Sequence, residues 1–334
     1  MIFSFYILIL LNNLSGRMSL ELWVEKYRPE KLSDVVNQEE IIERLNAFVK
    51  NKNIPNLLFA GPAGVGKTTC AIAIAHELYG KKWRNNYLET NASDERGIDT
   101  IRHKIKDFAR TIPMGDVSFK IAVLDEADAL TPEAQQALRR TMESYTKTCR
   151  FILIANYSSR IIDPIQSRCT VFRFSNIETG KSKKYLEKIA KNEKLSFDEK
   201  ALDAILYLSG GDMRRSINLL QSSAATGKKI TEKLVYDIAA KAKPKDIDEL
   251  LKKALSGNFS ESRKMLYDLL INQGIAGEDI IKEINRQIYD LDISEENKII
   301  LIQLLGEYEF RINQGGEPMI QIAALLAQIA ALKK

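Results

Sequence analysis

Residues 57–69 read L-L-F-A-G-P-A-G-V-G-K-T-T, with Gly61, Gly66, Lys67 and Thr68 at the fixed positions of G-x-x-x-x-G-K-[ST]. Glycines let a backbone turn through φ > 0 and bring its N–H groups close to an anion. A helix beginning near Lys67 points its partly positive end at the same place. The pattern predicts a phosphate cradle made of Gly61, Pro62, Ala63, Gly64, Val65, Gly66, Lys67, Thr68 and Thr69. Lys67 would reach the β- and γ-phosphates of a nucleoside triphosphate, and the Thr68 hydroxyl would hold Mg²⁺. The bland alternative is a chance glycine turn before a helix; an apolar strand in front and an apolar helix behind weigh against it. A second constellation is Val123-Leu124-Asp125-Glu126, an apolar run ending in two carboxylates. Asp125 would bind the hydration shell of the metal, and Glu126 would orient and polarise the attacking water. Phosphoryl transfer needs mostly positioning and charge stabilisation, so few groups suffice. Alone the apolar-D-E string is weak; downstream of a phosphate loop it is strong.

These groups need a frame. Apolar runs at 57–60, 87–90, 120–125, 150–155 and 170–174 predict strands, and periodic segments at 38–51, 67–79, 100–110 and 132–143 predict helices. Thr131 and Pro132 supply an N-cap and a first-turn signal, and Gly80 a stop. Strands alternating with helices imply a parallel sheet covered on both faces. Ligands sit at the carboxyl ends of such strands, where Gly61, Asn91, Asp125 and Asn156 fall. In the helix at 100–110, Arg102, Lys106 and Arg110 are spaced by four and share a face. Residues 22–29 and 34–37, mixed charged and aromatic with Pro29, predict an ordered non-helical arm. After Ser175 the strands stop. Helical patterns cover 180–191, 198–208, 212–223 and 230–240, a linker is expected at 241–245, and the rest is helical through 318–332. That last helix carries more apolar residues than one packed stripe needs, so it is either buried in its own domain or also meets another subunit.

A chain of 334 residues accommodates two or three domains. Its 45% hydrophobic and 28% charged content is that of a globular protein, and a net charge of +5 does not by itself require nucleic acid. Three cysteines, Cys70, Cys149 and Cys169, with no C-x-x-C pair and only two histidines, argue against a zinc site and for a reduced, intracellular protein. Residues 2–11 form an apolar run like a signal-peptide core, but a basic flank and an A-x-A-like site are missing. Residues 1–17 are read as an extension ahead of Met18, and no segment resembles a membrane span. The tetrad at 125–128, D-E-A-D, raises the RNA helicases named for it. Those need a second nucleotide-sandwiching domain and an S-A-T, neither of which follows. A small-molecule kinase explains neither the carboxylate pair nor the helical second half.

Seven motifs occur in one order: W-V-E-K-Y-R-P (23–29), G-P-A-G-V-G-K-T-T (61–69), N-A-S-D-E-R-G (91–97), L-D-E-A-D (124–128), A-Q-Q-A-L-R-R-T-M-E (134–143), S-R-C (167–169) and G-G-D-M-R-R-S-I-N-L-L-Q (210–221). Together they resemble the small subunit of replication factor C, the AAA+ sliding-clamp loader, of the archaeal type, from Leu20 to the end. The resemblance implies an α/β P-loop NTPase (AAA+) domain with a parallel sheet over 18–175, a small helical lid domain over 176–241 and an all-α collar domain over 246–334. It also implies an ATPase that uses ATP and Mg²⁺. Asn156 is then similar to sensor 1, Arg168 to an arginine finger reaching a neighbour's ATP, and Arg214 to sensor 2. Fingers of this kind raise rates by roughly 10³–10⁵. Asn91 is similar to a switch residue that restrains the catalytic glutamate until DNA binds. Val24, Tyr27, Arg28, Pro29 and Val36 would pack on adenine. Arg96, Gly97, Ile98, Arg102 and Lys106 would track DNA phosphates without reading sequence. Residues 111–115 would face the clamp. Expected partners are the replication factor C large subunit, other copies of this chain in a ring-like pentamer, the sliding clamp (PCNA) and primer–template DNA, in a prokaryotic cytoplasm near the nucleoid. The alternative is another AAA+ DNA-remodelling ATPase, a branch-migration motor or an origin initiator; those usually carry a winged-helix domain at the C-terminus. A scaffold with an idle ATPase is a third reading, opposed by intact Lys67, Asp125, Glu126 and Asn156.

Overall fold

The computed structural model describes residues 21–93, 101–115 and 117–332, which form two compact units: one reaching Leu195 and including Ile205–Gln221, the other made of Ser196–Ala204 and the chain from Ser222 onward. The 1–17 extension and Arg96, Gly97 and Ile98 lie outside the described residues.

In the first unit, five apolar runs form one parallel sheet: β1 (Leu57–Ala60), β2 (Tyr87–Asn91), β3 (Lys120–Asp125), β4 (Cys149–Ala155) and β5 (Thr170–Arg173), in the spatial order β2-β3-β4-β1-β5. Every residue of β1 is buried, as is most of β3 and β4, which is what a sheet covered on both faces requires. The register pairs Ala60 with Ala155 and Asn91 with Asp125, so the carboxyl ends of the strands finish together. The helices of this unit include α1 (Glu39–Lys50), α2 (Lys67–Tyr79), α3 (Lys106–Arg110), α4 (Pro132–Ser144) and α5 (Thr179–Asn192), with a four-residue helical turn at Asp163–Gln166. Thr131 accepts the Ala134 N–H at 3.3 Å and Pro132 opens α4, as its N-cap signal predicts. A π-helical turn, Ile101–Ile105, precedes α3. Helix α6 (Glu199–Ser209) has residues in both units, and α7 (Met213–Ala224) lies mostly in the first.

The second unit contains α8 (Glu232–Ala239), α9 (Pro244–Leu255), α10 (Phe259–Tyr267), α11 (Gly277–Ile288), α12 (Glu295–Asn313) and α13 (Pro318–Ala331). Helices α9 to α13 close around one apolar core that includes Ile247, Leu251, Leu266, Ile284, Leu305 and Leu326. The starts of α11 and α13 meet so closely that a Cβ on Gly277 would stand 2.4 Å from Pro318 Cβ.

Two local expectations change. The arm contains two short helical turns, Trp23–Lys26, where the Leu22 carbonyl accepts the Glu25 and Lys26 N–H groups at 2.9 and 3.0 Å, and a 3₁₀ turn at Leu32–Asp34; Pro29 disfavours helix at Arg28. The expected linker at 241–245 is built into the second unit. Ala242 is buried, Lys241 pairs with Asp279, and Pro244 opens α9 while its carbonyl accepts from Gln287 Nε2 at 2.7 Å. Proline fits the first turn of a helix as readily as it breaks one.

Candidate active site

The chain leaves β1 at Gly61, whose φ of +150° and whose approach to Phe174 exclude a side chain: a Cβ there would lie 2.3 Å from the Phe174 carbonyl oxygen. Gly64, at φ +68°, faces the start of α7, and its carbonyl accepts the Met213 N–H at 3.1 Å. A Cβ on Gly64 would stand 1.8 Å from Asp212 Oδ1, the oxygen that caps α7 through the Arg215 N–H at 3.0 Å. The glycine loop is therefore seated against the head of α7.

Lys67 is buried at the first position of α2. Its ammonium donates to the Pro62 carbonyl at 2.7 Å, to the Gly61 carbonyl, and to Asn156 Oδ1 at 3.0 Å. Burial lowers its pKa, while the nearby Asp125 and Asp128 carboxylates oppose that shift. A buried cation held by neutral oxygens at a helix N-terminus leaves positive potential facing the cavity. Thr68 Oγ1 donates to Asp125 Oδ2 at 2.7 Å, bringing two hard oxygen donors together across α2 and β3. Asp125 Oδ1 accepts the Glu126 N–H at 2.8 Å, and Glu126 occupies the left-handed region at φ +53°. A non-glycine residue in that region at the end of a central strand is a local cost of the kind that collects at reactive sites.

One cavity joins these groups. Residues 63–69 line it together with Asp125, Glu126 and Asn156. The rest of its wall is made by the expected Val24, Tyr27, Arg28, Pro29, Val36 and Arg214, and by Val35, Ile177, Tyr185, Met213 and Ile217, which the sequence did not single out; Met213 and Arg214 are where α7 opens against the glycine loop. Gly61 and Pro62 contribute their carbonyls to Lys67. Arg168 stands elsewhere, on the surface, where it pairs with Glu143 at 2.7 Å and donates to the Pro164 carbonyl at 2.7 Å. Asn91 ends β2 beside Asp125, and its side-chain oxygen accepts from the Ser93 N–H and hydroxyl, both at 2.9 Å. Lys106 is exposed on α3, and Arg102 lies in the π-helical turn before it. Ile112 and Met114 are 82% and 62% exposed.

Two supporting residues were missed. Asp128 Oδ2 accepts the N–H groups of Asn156 and Tyr157 at 3.2 and 3.1 Å, which fixes Asn156 beside Lys67. Its signal was the last letter of D-E-A-D. Gln135, buried in α4, accepts the Ile162 N–H at 2.9 Å and donates to the Leu130 and Arg160 carbonyls at 3.3 and 3.0 Å. It ties the segment after β3 to the segment after β4 that leads to Arg168. A glutamine inside an amphipathic helix carried no signal of that role.

Comparison with known proteins agrees with this architecture. Residues 57–177 match the model of the ATPase family associated with various cellular activities (AAA), residues 184–225 the RCF1/5-like AAA+ ATPase lid domain, and residues 242–328 the replication factor C C-terminal domain. The chain is similar to a replication factor C small subunit of Methanococcus maripaludis, 53% identical over 93% of this chain and 99% of that one. It is also similar to one of Archaeoglobus fulgidus, 52% identical over 95% and 99%. Among solved structures it is similar to the Holliday junction branch migration motor RuvB of Thermotoga maritima, with a TM-score of 0.54, 17% identity, and coverage of 77% of this chain and 91% of that one. At that identity the likeness speaks to the fold alone.

Proposed function

The chain belongs to the replication factor C small-subunit family and is a clamp-loader ATPase subunit, and from that premise we propose that its cavity holds ATP with Mg²⁺ and that a neighbouring subunit completes the site. The observation that carries the proposal is the buried Lys67 ammonium, held by carbonyls and Asn156 at the N-terminus of α2 and facing the cavity. Thr68 and Asp125 would hold the metal, which supplies charge neutralisation at the transferred phosphoryl group. Lys67 and the loop N–H groups bind the phosphates. Glu126 orients the attacking water, and Asn156, fixed by Asp128, fills the sensor position beside the γ-phosphate. Arg214 lines the same cavity from α7. Arg168 is the trans-acting group. Its pair with Glu143 is half-exposed, and such surface pairs are worth about 0–1 kcal/mol, so the guanidinium is readily released to a neighbour's nucleotide. Asn91, with its side chain on Ser93, is the switch that restrains Glu126 until DNA arrives.

Primer–template DNA would run along residues 96–98, Arg102 and Lys106, with exposed Ile112 and Met114 meeting the sliding clamp. The helices from α9 onward would join the subunits, the large subunit among them, in a ring-like pentamer; the division at 18–175, 176–241 and 246–334 follows from these roles. No helix among the described residues is long and apolar enough to cross a membrane, and the cytoplasm near the nucleoid is the proposed place of work.

Mixing Lys67→Ala with Arg168→Ala protein tests the shared site. Each should be inactive alone, and mixed assemblies should recover part of the ATPase activity. Mixed assemblies that stay silent count against a trans arginine. Stimulation of the ATPase by primed DNA together with a clamp distinguishes this reading from a branch-migration motor, which needs no clamp.

A further inference from the structure

The arm that lines the cavity is fastened in two places. At Leu32 the backbone N–H donates to Glu77 Oε1 of α2 at 2.8 Å, an attachment to the layer over the sheet. Residues 21–27 are tied instead to α5 and α7. The Trp23 N–H donates to Gln221 Oε1 at 3.0 Å, and Gln221 Nε2 donates to the Glu21 carbonyl at 3.2 Å. Glu193, just past the end of α5, accepts from both Lys26 Nζ and Tyr27 Oη at 2.6 Å. Tyr185, within α5, donates its hydroxyl to the Tyr27 carbonyl at 2.5 Å. Val24, Tyr27, Arg28 and Pro29 lie within or just after the tied stretch, while Val35 and Val36, the arm's other cavity-lining residues, follow the Leu32 attachment.

We propose that Glu193 and Gln221 are positioning residues through which α5 and α7 hold residues 21–29 of the arm in place against the base of a bound nucleotide. The proposal rests on the nucleotide reading of the cavity. The chemistry is specific to one end of the ligand. The triphosphate end is built from residues 61–69, Asp125 and Asn156, none of which touches the latch through a hydrogen bond described here. Only the nucleoside should feel the arm come loose. A carboxylate accepting from an ammonium and a phenol at 2.6 Å is a charge-assisted pair of the stronger kind.

Isothermal titration of the full chain with two probes, ATP and tripolyphosphate, both with Mg²⁺, reads the difference. Glu193→Ala should weaken ATP binding about tenfold, since losing a hydrogen bond to a charged group is worth roughly that much, Gln221→Ala, which loses only neutral hydrogen bonds, about threefold to tenfold, and both should leave tripolyphosphate within about twofold. Turnover at saturating ATP should be unchanged, so the effect falls on KM and not on kcat. The swapped pair Lys26→Glu with Glu193→Lys restores the ion pair with its signs reversed but gives the Tyr27 hydroxyl no acceptor, so it should recover part of the ATP affinity. ATP binding as tight in the single variants as in the unaltered chain overturns the latch. So does an equal loss for both probes, which would mean general damage to the pocket. An unaltered chain that binds neither probe sinks the nucleotide reading itself, a distinguishable result.

Discussion

Gly64 is held by two independent constraints, and a single substitution separates them. Alanine at φ +68° costs roughly 1–2 kcal/mol in any context, and here its Cβ would also stand 1.8 Å from Asp212 Oδ1. Gly64→Ala should therefore push the head of α7 off the phosphate loop and weaken ATP binding by about tenfold or more. Adding Asp212→Gly removes the side-chain collision and leaves the backbone strain and the Asp212 Cα 3.0 Å away, so the double variant should regain part of the affinity; no regain would show that the side-chain collision is not what matters. Glu193 carries a pH prediction. Burial pushes its carboxyl up, but hydrogen bonds from Lys26 and Tyr27 outweigh that and hold its pKa below the ordinary value. A carboxylate depressed on folding contributes stability that is full above its unfolded pKa of about 4.3 and is lost as pH falls through the folded one. The stability gap between the unaltered chain and Glu193→Gln, measured by urea unfolding, should persist at pH 7 and close in acid below about pH 4. A gap that widens in acid contradicts the assigned partners. That Gly64 to Thr69, Asp125, Glu126 and Asn156 share one cavity was legible, because phosphate chemistry would dictate both residue type and spacing there. Ile177, Tyr185, Met213 and Ile217 were not legible, because a wall for a flat apolar ring can be assembled from any large side chains on separate elements.

At the scale of elements, the strands were readable because a doubly covered parallel sheet demands unbroken apolar runs, and β1, β3 and β4 are such runs. The first helical turn of the arm was not, since four residues show no period and the nearby proline argues for extended chain. Pro244 misled for the opposite reason: it is a breaker when preceded by helix and a starter when followed by one. Helix α4 hides the most consequential residue of its layer. Gln135 satisfies the Ile162 N–H and the Leu130 and Arg160 carbonyls from a buried position. Gln135→Leu keeps the volume and strands those three groups, each costing about 1–3 kcal/mol when left unpaired. Relaxation would recover some of that, so a loss of about 3 kcal/mol in urea unfolding is expected. Because Gln135 joins the Glu126 side of the site to the segment leading to Arg168, steady-state ATPase of assembled protein should fall further than a surface change of equal stability cost. A variant as stable and as active as the unaltered chain would reduce Gln135 to filler.

For the whole molecule, the question is which surface carries a second subunit, and α12 offers a test that needs no assembled structure. Its Ile299, Ile302 and Phe310 are exposed, and Gly306 shares their face by helical spacing. A Cβ on Gly306 would meet nothing within 4 Å, so packing inside the chain does not require glycine there. Glycine inside a helix costs about 0.5–1 kcal/mol relative to alanine. If the helices from α9 onward join subunits, that bare backbone is where a neighbour's side chain comes close. Gly306→Ala should then act with opposite sign on two measurements. Monomer unfolding should shift up by a few degrees, because the helix gains propensity. Sedimentation of the assembly should show weaker association, because the added methyl intrudes on the neighbour. Phe310→Asp, 62% exposed in the single chain, should leave the monomer midpoint within about 0.5 kcal/mol of its starting stability and lower assembly more severely, since it buries a charge at an apolar contact. An assembly indifferent to both substitutions would exclude this face of α12 as the contact and leave other exposed apolar residues of the second unit, Tyr267, Ile271, Tyr289, Ile300 and Ile320, to be tested in its place.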